Sequence, residues 1–130
     1  MTTQSGVALP LEGRRILIVE DEYFQAREIA LALTRAGAEV IGPTGRAEDV
    51  PDLIATGAVD AAMLDINLGQ GASFEVARSL RQRETPFLFL TGYDVSIIPD
   101  DLSEPPRLEK PVDQARLVDQ LVELVRSHAS

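Results

Sequence analysis

Four short segments with strand-like sequences each end in side chains that can do chemistry. The first ends in Glu20 and Asp21, and the others end in Asp65, Thr91 and Lys110. Taken singly, these are ordinary polar residues, because acidic and hydroxyl side chains are common in loops and at helix N-termini. Taken together, three carboxylates, a hydroxyl and an ammonium are the groups that bind a metal ion and a phosphoryl group.

Repulsion between clustered carboxylates indicates which chemistry this set supports. Two carboxylates about 4 Å apart repel by about 1 to 4 kcal/mol, depending on the local dielectric, so three need a counter-charge or must protonate. Mg²⁺ prefers hard oxygen ligands, and with Lys110 it would neutralise the three acids. Asp65, which comes alone from a central strand, is the candidate nucleophile of aspartyl-phosphate chemistry. Glu20 and Asp21 are the candidate metal ligands.

The elements that must position these residues alternate along the chain. The patterns predict helices at 22–36, around 50–54, at 73–83 and at 112–128, and strands at 15–20, 38–43, 60–64, 86–90 and 107–109. Three prolines between 99 and 106 leave room for one or two helical turns at most before the last strand. This alternation favours an α/β fold with a doubly wound, five-stranded parallel sheet. Ligands of such sheets bind at the carboxyl ends of the strands.

Length and charge limit the number of domains and the class of partner. A chain of 130 residues suits one domain, and we expect a flexible N-terminal leader over 1–13 followed by one domain over 14–130. A formal net charge of −9 argues against direct contact with nucleic acid or with anionic lipid. The N-terminus lacks the features of a signal peptide, and no apolar run approaches the ~20 residues of a membrane span. We therefore expect a cytoplasmic protein that does not enter a membrane.

The scarcity of cysteine and histidine excludes other chemistries. The chain has no cysteine, and its one histidine is His128, near the C-terminus. Disulfides, thiolate nucleophiles and cysteine-based zinc sites are therefore ruled out, and a Ser-His-Asp triad is not expected.

Four segments, in order along the chain, carry a resemblance to a known family. The segments ILIVEDE, MLDINLGQGASFEV, FLTGY and LEKPV resemble the signature segments of bacterial response-regulator receiver domains. The resemblance spans residues 15 to about 127. It implies the flavodoxin-like receiver fold with strand order 2-1-3-4-5, Mg²⁺ as cofactor and a place in a two-component phosphorelay.

The resemblance also implies a role for each residue of the site. Asp65 would be the phosphoacceptor, and Asp21, Asp65 and the backbone carbonyl of Asn67 would bind Mg²⁺, with Glu20 acting through a metal-bound water. Thr91 would be the switch hydroxyl. Lys110 would contact the phosphoryl group, and the Lys110–Pro111 peptide bond would be cis.

The sequence departs from the family pattern at two positions. Glu20 stands where an aspartate is common, which we expect to tune metal binding. Leu108 stands where many receivers have an aromatic switch residue, and Tyr93 is the candidate substitute, although it could equally be an exposed loop aromatic. The segment PFLFLTGY is similar to a subfamily of mostly stand-alone receivers, nicknamed FAT GUY.

These features predict a signalling domain that is not an enzyme beyond its own phosphorylation and slow dephosphorylation. It would take a phosphoryl group from a phosphohistidine on a sensor histidine kinase or a histidine phosphotransfer protein, and then change its contacts with a downstream protein partner. The alternatives are a receiver-like interaction module that is never phosphorylated and a phosphate sink without its own output. A flavin binder is disfavoured because EDEYF would repel a phosphate, and a phosphatase because DIN supplies no second catalytic acid.

Overall fold

The computed structural model describes residues 8–55, 57–68, 72–92 and 97–128. Strands and helices alternate along the chain as the sequence predicts. The strands are β1 (Arg15–Val19), β2 (Glu39–Thr44), β3 (Ala61–Asp65), β4 (Phe87–Thr91) and β5 (Arg107–Glu109), and the helices are α1 (Tyr23–Arg35), α2 (Val50–Ala55), α3 (Ala72–Gln82) and α4 (Gln114–His128). Short 3₁₀ turns lie at Ala47–Asp49 and Asp100–Leu102.

The five strands form one parallel sheet with the order β2-β1-β3-β4-β5. This confirms the predicted doubly wound receiver fold. The strand order reverses direction between β1 and β3, so the loops that follow these two strands leave toward opposite faces of the sheet and open a crevice between them. The candidate site residues that fall within the described ranges belong to the edge on which this crevice lies.

Two apolar layers hold the sheet between its helices. On one face, Ile16 and Ile18 of β1 pack with Ile29 and Leu33 of α1 and with residues of α4. On the other face, alternate residues of the same strands pack with α2 and α3, in a cluster that includes Leu17, Val19, Ile54, Leu64, Leu80 and Phe89. Every residue of β3 and β4 is buried. Continuous apolar strands of this kind are typical of a parallel sheet covered on both sides.

Residues 8–13 differ from the expected flexible leader. Leu11 is 1% exposed and belongs to the core cluster beside α1 and α4. Its backbone N–H donates to the carbonyl of Ala36 over 2.8 Å, and Gly13 donates to Gly37 over 3.1 Å. A side chain at Gly37 would come within 2.8 Å of Glu12 Cα, so the glycine permits this close approach. Burial of Leu11 removes apolar surface from water, which stabilises the packed arrangement.

The chain between β4 and β5 contains a 3₁₀ turn and no α-helix in its described part, residues 97–106. Prolines account for this, because they lack the N–H that a helix needs. The turn packs through Leu102, which is fully buried. Asp101 accepts from Arg78 over 3.0 Å and from Arg81 over 3.3 Å, which ties the turn to α3.

None of the helices in the described ranges is both long enough and apolar enough to cross a membrane.

Candidate functional site

The structure brings the predicted acids, hydroxyl and ammonium to one edge of the sheet. Asp65 ends β3 and is 1% exposed, Thr91 ends β4 and is fully buried, and Glu20, directly after β1, is 2% exposed. Lys110 follows β5 and is half-buried. Residues far apart in sequence therefore meet because parallel strands end on the same side.

Both carboxylate oxygens of Asp65 have partners. Its Oδ1 accepts the backbone N–H of Asn67 over 2.9 Å, and its Oδ2 lies 3.0 Å from Nζ of Lys110. Charge-assisted contacts of this length hold a side chain in one orientation. Asp65 is thus a carboxylate fixed at the edge of the core.

Glu20 is the second buried acid of the site. Its backbone N–H donates to Thr44 over 2.8 Å, which continues the β1–β2 pairing, and its Oε2 accepts the N–H of Glu22 over 3.0 Å. Its Oε1 lies 3.4 Å from Nζ of Lys110, an ion-pair distance. Burial raises the pKa of Glu20 to about 7, and the adjacent Asp65 carboxyl acts in the same direction, whereas the Glu22 N–H and Lys110 oppose the rise. Two neighbouring acids compete for one cation, so one of them gains from protonation.

Lys110 is the cation for which these acids compete. Burial alone would lower the pKa of Lys110, but Asp65 and Glu20 outweigh that effect and raise the pKa. The backbone N–H of Lys110 donates to the carbonyl of Thr91 over 2.8 Å, so β5 fixes where the side chain starts. The Lys110–Pro111 peptide bond is cis.

Glu20, Asp21 and Asp65 form an acidic cluster that could hold a metal ion. Each offers a carboxylate oxygen, and these oxygens lie within 4.8 Å of one another. Asp21 is the exposed member and the other two are buried. Clustered hard oxygen donors of this kind fit Mg²⁺ or Ca²⁺. Asn67, whose carbonyl is a further expected ligand, lies in the exposed turn after Asp65.

The hydroxyl of Thr91 is a buried polar group that makes no hydrogen bond within the described part of the chain. An unpaired buried hydroxyl costs about 1 to 3 kcal/mol. A cleft of about 560 Å³ is lined by Asn67, Gly92 and Lys110 among others, and Gly92 is the chain neighbour of Thr91. Tyr93, the other predicted switch residue, lies outside the described residues.

The sequence analysis missed two residues that shape the site. Gly45, in the loop after β2, packs so closely on Asp21 that an added Cβ would lie 2.7 Å from Asp21 Cα and 2.8 Å from Asp21 Cβ. Ser73, in α3, is fully buried and donates its hydroxyl to the backbone carbonyl of Asp65 over 2.5 Å. Both contacts join segments that are distant in sequence, and no motif in the chain signals them.

Comparison with known proteins gives the family to which this fold and this acidic edge belong. Residues 16–122 match the model of the response regulator receiver domain. The chain is a member of the response-regulator receiver family, the receiver domains of two-component systems.

Two curated relatives illustrate how far the similarity extends. The sensory transduction protein LytT of Bacillus cereus is 29% identical over 111 residues, which cover 82% of this chain and 45% of LytT. The transcriptional regulatory protein PdtaR of Mycobacterium tuberculosis is 27% identical over 93 residues, 71% of this chain and 44% of PdtaR. The chain therefore spans less than half the length of these relatives.

Two solved structures resemble this chain over nearly their whole length. The solution structure of SdrG from Sphingomonas melonis is 31% identical, with a TM-score of 0.73, and the match covers 87% of this chain and 97% of SdrG. A response regulator receiver protein from Sinorhizobium medicae is 25% identical, with a TM-score of 0.75, over 91% of this chain and 98% of that protein.

Proposed function

We propose that the protein accepts a phosphoryl group on Asp65 from a phosphohistidine of a sensor histidine kinase or a histidine phosphotransfer protein. The observation that carries this proposal is the position of Asp65, whose two oxygens contact Lys110 and the Asn67 N–H inside a cluster of three acids. Membership of the receiver family supports it. The site prepares a carboxylate for attack, because its side chain already has one orientation and one nearby cation.

The transfer exchanges one bond to phosphorus for another. A carboxylate oxygen of Asp65 forms the new P–O bond while the P–N bond to the donor histidine breaks. The histidine nitrogen leaves with the electron pair and takes up a proton. The product is an acyl phosphate on Asp65 and a neutral histidine on the donor.

Asp21, Asp65 and the carbonyl of Asn67 would hold the Mg²⁺ ion, and Glu20 would act through a water. When bound, the ion supplies positive charge to the phosphoryl oxygens. Its charge would also offset the repulsion among Glu20, Asp21 and Asp65. The acidic cluster described above supplies this donor set.

Lys110 and Thr91 would then respond to the phosphoryl group. Lys110 Nζ lies 3.0 Å from Asp65 Oδ2. Whichever carboxylate oxygen accepts the phosphoryl group, the ammonium can therefore reach a phosphoryl oxygen with little movement. The buried Thr91 hydroxyl would gain the hydrogen-bond partner that it lacks within the described residues. This gain would bias the chain after β4, with Tyr93 moving in concert, and so change contacts with a downstream protein in the cytoplasm.

Mass spectrometry of the intact protein tests the proposal. With acetyl phosphate and Mg²⁺, the mass should rise by one phosphoryl group, and Asp65→Asn should abolish the rise. Asp52→Asn, in the first turn of α2, is the matched control and should label like wild type. Full labelling of Asp65→Asn would show that the acceptor is elsewhere, and no labelling of wild type by acetyl phosphate or by a phosphorylated histidine donor would leave an unphosphorylated interaction module.

A further inference from the structure

We propose that Ser73 is a positioning residue for phosphoryl acceptance: its hydroxyl holds the turn that presents Asp65 and the Asn67 carbonyl. The inference rests on the proposed function and extends it to a residue of α3. Ser73 is the second residue of that helix and is fully buried. It would touch neither the phosphoryl group nor the metal ion, so it would act through the backbone of its neighbours.

One hydroxyl contacts the backbone on both sides of Asn67. Ser73 Oγ donates to the carbonyl oxygen of Asp65 over 2.5 Å and accepts the N–H of Leu68 over 3.4 Å. The first contact is short and the second is long, so the bond to Asp65 dominates. Between the two contacts lie Ile66 and Asn67, the turn that follows the predicted nucleophile.

The direction of the Leu68 N–H, which faces Ser73 Oγ over 3.4 Å, also gives the direction of the Asn67 carbonyl. The Leu68 N–H and the Asn67 carbonyl belong to one peptide group, and the cis bonds of the described chain lie elsewhere, at Pro43 and Pro111. In a planar trans peptide the N–H and the carbonyl point in opposite directions. Turning the N–H toward Ser73 therefore turns the Asn67 carbonyl away from α3. This carbonyl is one of the expected metal ligands.

The remaining hydrogen bonds of the turn reinforce this geometry. Ile66 donates its N–H to Leu90 over 3.1 Å, and Asn67 donates its N–H to Asp65 Oδ1 over 2.9 Å. Ser73 thus completes a set in which each backbone N–H from Ile66 to Leu68 has a partner. The Asp65 carboxylate depends on this set, because one of its oxygens binds the Asn67 N–H.

Helix capping is the ordinary reason for a serine near a helix start, and it does not account for Ser73. A capping hydroxyl precedes the helix and accepts an N–H from its first turn. Ser73 lies inside α3, and its hydroxyl donates to the end of β3. A purely structural contact would affect the free energy of unfolding alone. A positioning contact also affects metal affinity, since outer-sphere partners of metal ligands typically change it 10- to 100-fold.

The test compares Ser73→Ala with Ser79→Ala, which removes a hydroxyl from the same helix. In the metal-free protein, amide hydrogen exchange of Leu68 should accelerate in Ser73→Ala alone. The dissociation constant of Mg²⁺ should rise about tenfold in Ser73→Ala and stay at the wild-type value in Ser79→Ala. Phosphorylation by acetyl phosphate at subsaturating Mg²⁺ should slow in parallel, and Ser73→Thr, which keeps a hydroxyl, should recover part of the rate.

A second variant covers the case in which Ser73→Ala does not fold. Ser73→Gly leaves room for a water to satisfy the Asp65 carbonyl, yet it lacks the fixed hydroxyl and should weaken Mg²⁺ binding in the same way. Ile54→Val, a mild core substitution on the same face, controls for stability loss.

The outcomes separate this inference from the proposed function. Wild-type Mg²⁺ affinity in Ser73→Ala or Ser73→Gly, or an equal loss in Ile54→Val, would overturn the role of Ser73. If wild type binds Mg²⁺ but Asp65 is never phosphorylated, the proposed function fails and the Mg²⁺ affinities still decide whether Ser73 positions the metal ligand. If wild type binds no Mg²⁺, both fail.

Discussion

Lys110 Nζ lies 3.0 Å from Asp65 Oδ2 and 3.4 Å from Glu20 Oε1, so one ammonium is shared by two buried acids. Lys110 is also the only lysine of the chain. Removing one member of a buried ion pair leaves the other uncompensated, which is more destabilising than the pair itself is stabilising. Lys110 therefore has a structural role before any phosphoryl group arrives.

Lys110→Met should destabilise the metal-free protein and impair its phosphorylation. We expect the free energy of unfolding to fall by up to about 3 kcal/mol, because Asp65 and Glu20 lose their counter-charge. Urea unfolding with a chelator present measures this. Arg46→Met is the control, since Arg46 is an exposed cation whose ion pairs lie at the surface. Equal stability of both variants would show that the ammonium does not hold the acids in place.

Glu20 should give the metal-free protein a pH dependence opposite to that of an ordinary glutamate. Because its pKa rises from 4.5 to about 7 on folding, the folded state binds more protons than the unfolded state between these values. The contribution of Glu20 to stability is therefore complete below pH 4.5 and is lost as the pH rises through about 7.

A difference measurement isolates this contribution from the other carboxylates. The free energy of unfolding of Glu20→Gln minus that of wild type should increase with pH across this window, by at most about 1.4 kcal/mol per pH unit. Urea unfolding from about pH 5 to about pH 8 in chelator measures it. Glu48→Gln, at an exposed site, is the control substitution. A flat difference for Glu20→Gln would mean that its pKa is not raised in the folded protein.

Gly45→Ala should displace Asp21 and weaken Mg²⁺ binding. The backbone at Gly45 has no positive φ, so the added methyl is strained by its contact with Asp21 alone. Isothermal titration calorimetry should show that the affinity for Mg²⁺ falls about tenfold, as expected for a residue that positions a metal ligand. Gly57→Ala, where the methyl would meet the flexible end of Arg15, should keep wild-type affinity.

A double variant shows whether Gly45 acts through Asp21. In an Asp21→Asn background, Gly45→Ala should cause little further loss of Mg²⁺ affinity, because two contacting residues are not additive. Full additivity of the two substitutions would contradict the argument from the close contact.

The sequence could reveal the sheet and its strand-end residues for one physical reason. Buried parallel strands are apolar throughout, and their carboxyl ends share an edge, so the alternation of strands and helices is enough to place Asp65 and Lys110 on that edge. Leu11, Gly45 and Ser73 could not be found in this way. Their positions depend on how loops and side chains pack across large sequence separations, and periodicity carries no information about such contacts.

Thr91→Val should stabilise the protein in the absence of a phosphoryl group. The two side chains have the same shape, and the substitution removes a buried hydroxyl that has no partner among the described residues. We expect the free energy of unfolding to rise by about 1 kcal/mol or more. Thr44→Val is the informative contrast, because the Thr44 hydroxyl donates to Asp49 over 2.8 Å, and its loss should destabilise. A loss of stability in Thr91→Val would mean that its hydroxyl is satisfied in solution.

Thr91→Val should also abolish the effect of phosphorylation on the amide exchange of residues 97–106. With Mg²⁺ and beryllium fluoride as a phosphoryl mimic, wild type should change its amide exchange there, because the Thr91 hydroxyl turns toward the mimic and moves the chain after β4. Thr91→Val should still label on Asp65 yet leave this exchange unchanged. Helix α2 follows β2, the edge strand at the opposite end of the sheet from β5. Its amide exchange serves as the internal reference. If both proteins show the same change in 97–106, or if wild type responds only on another face, the signal does not pass through Thr91.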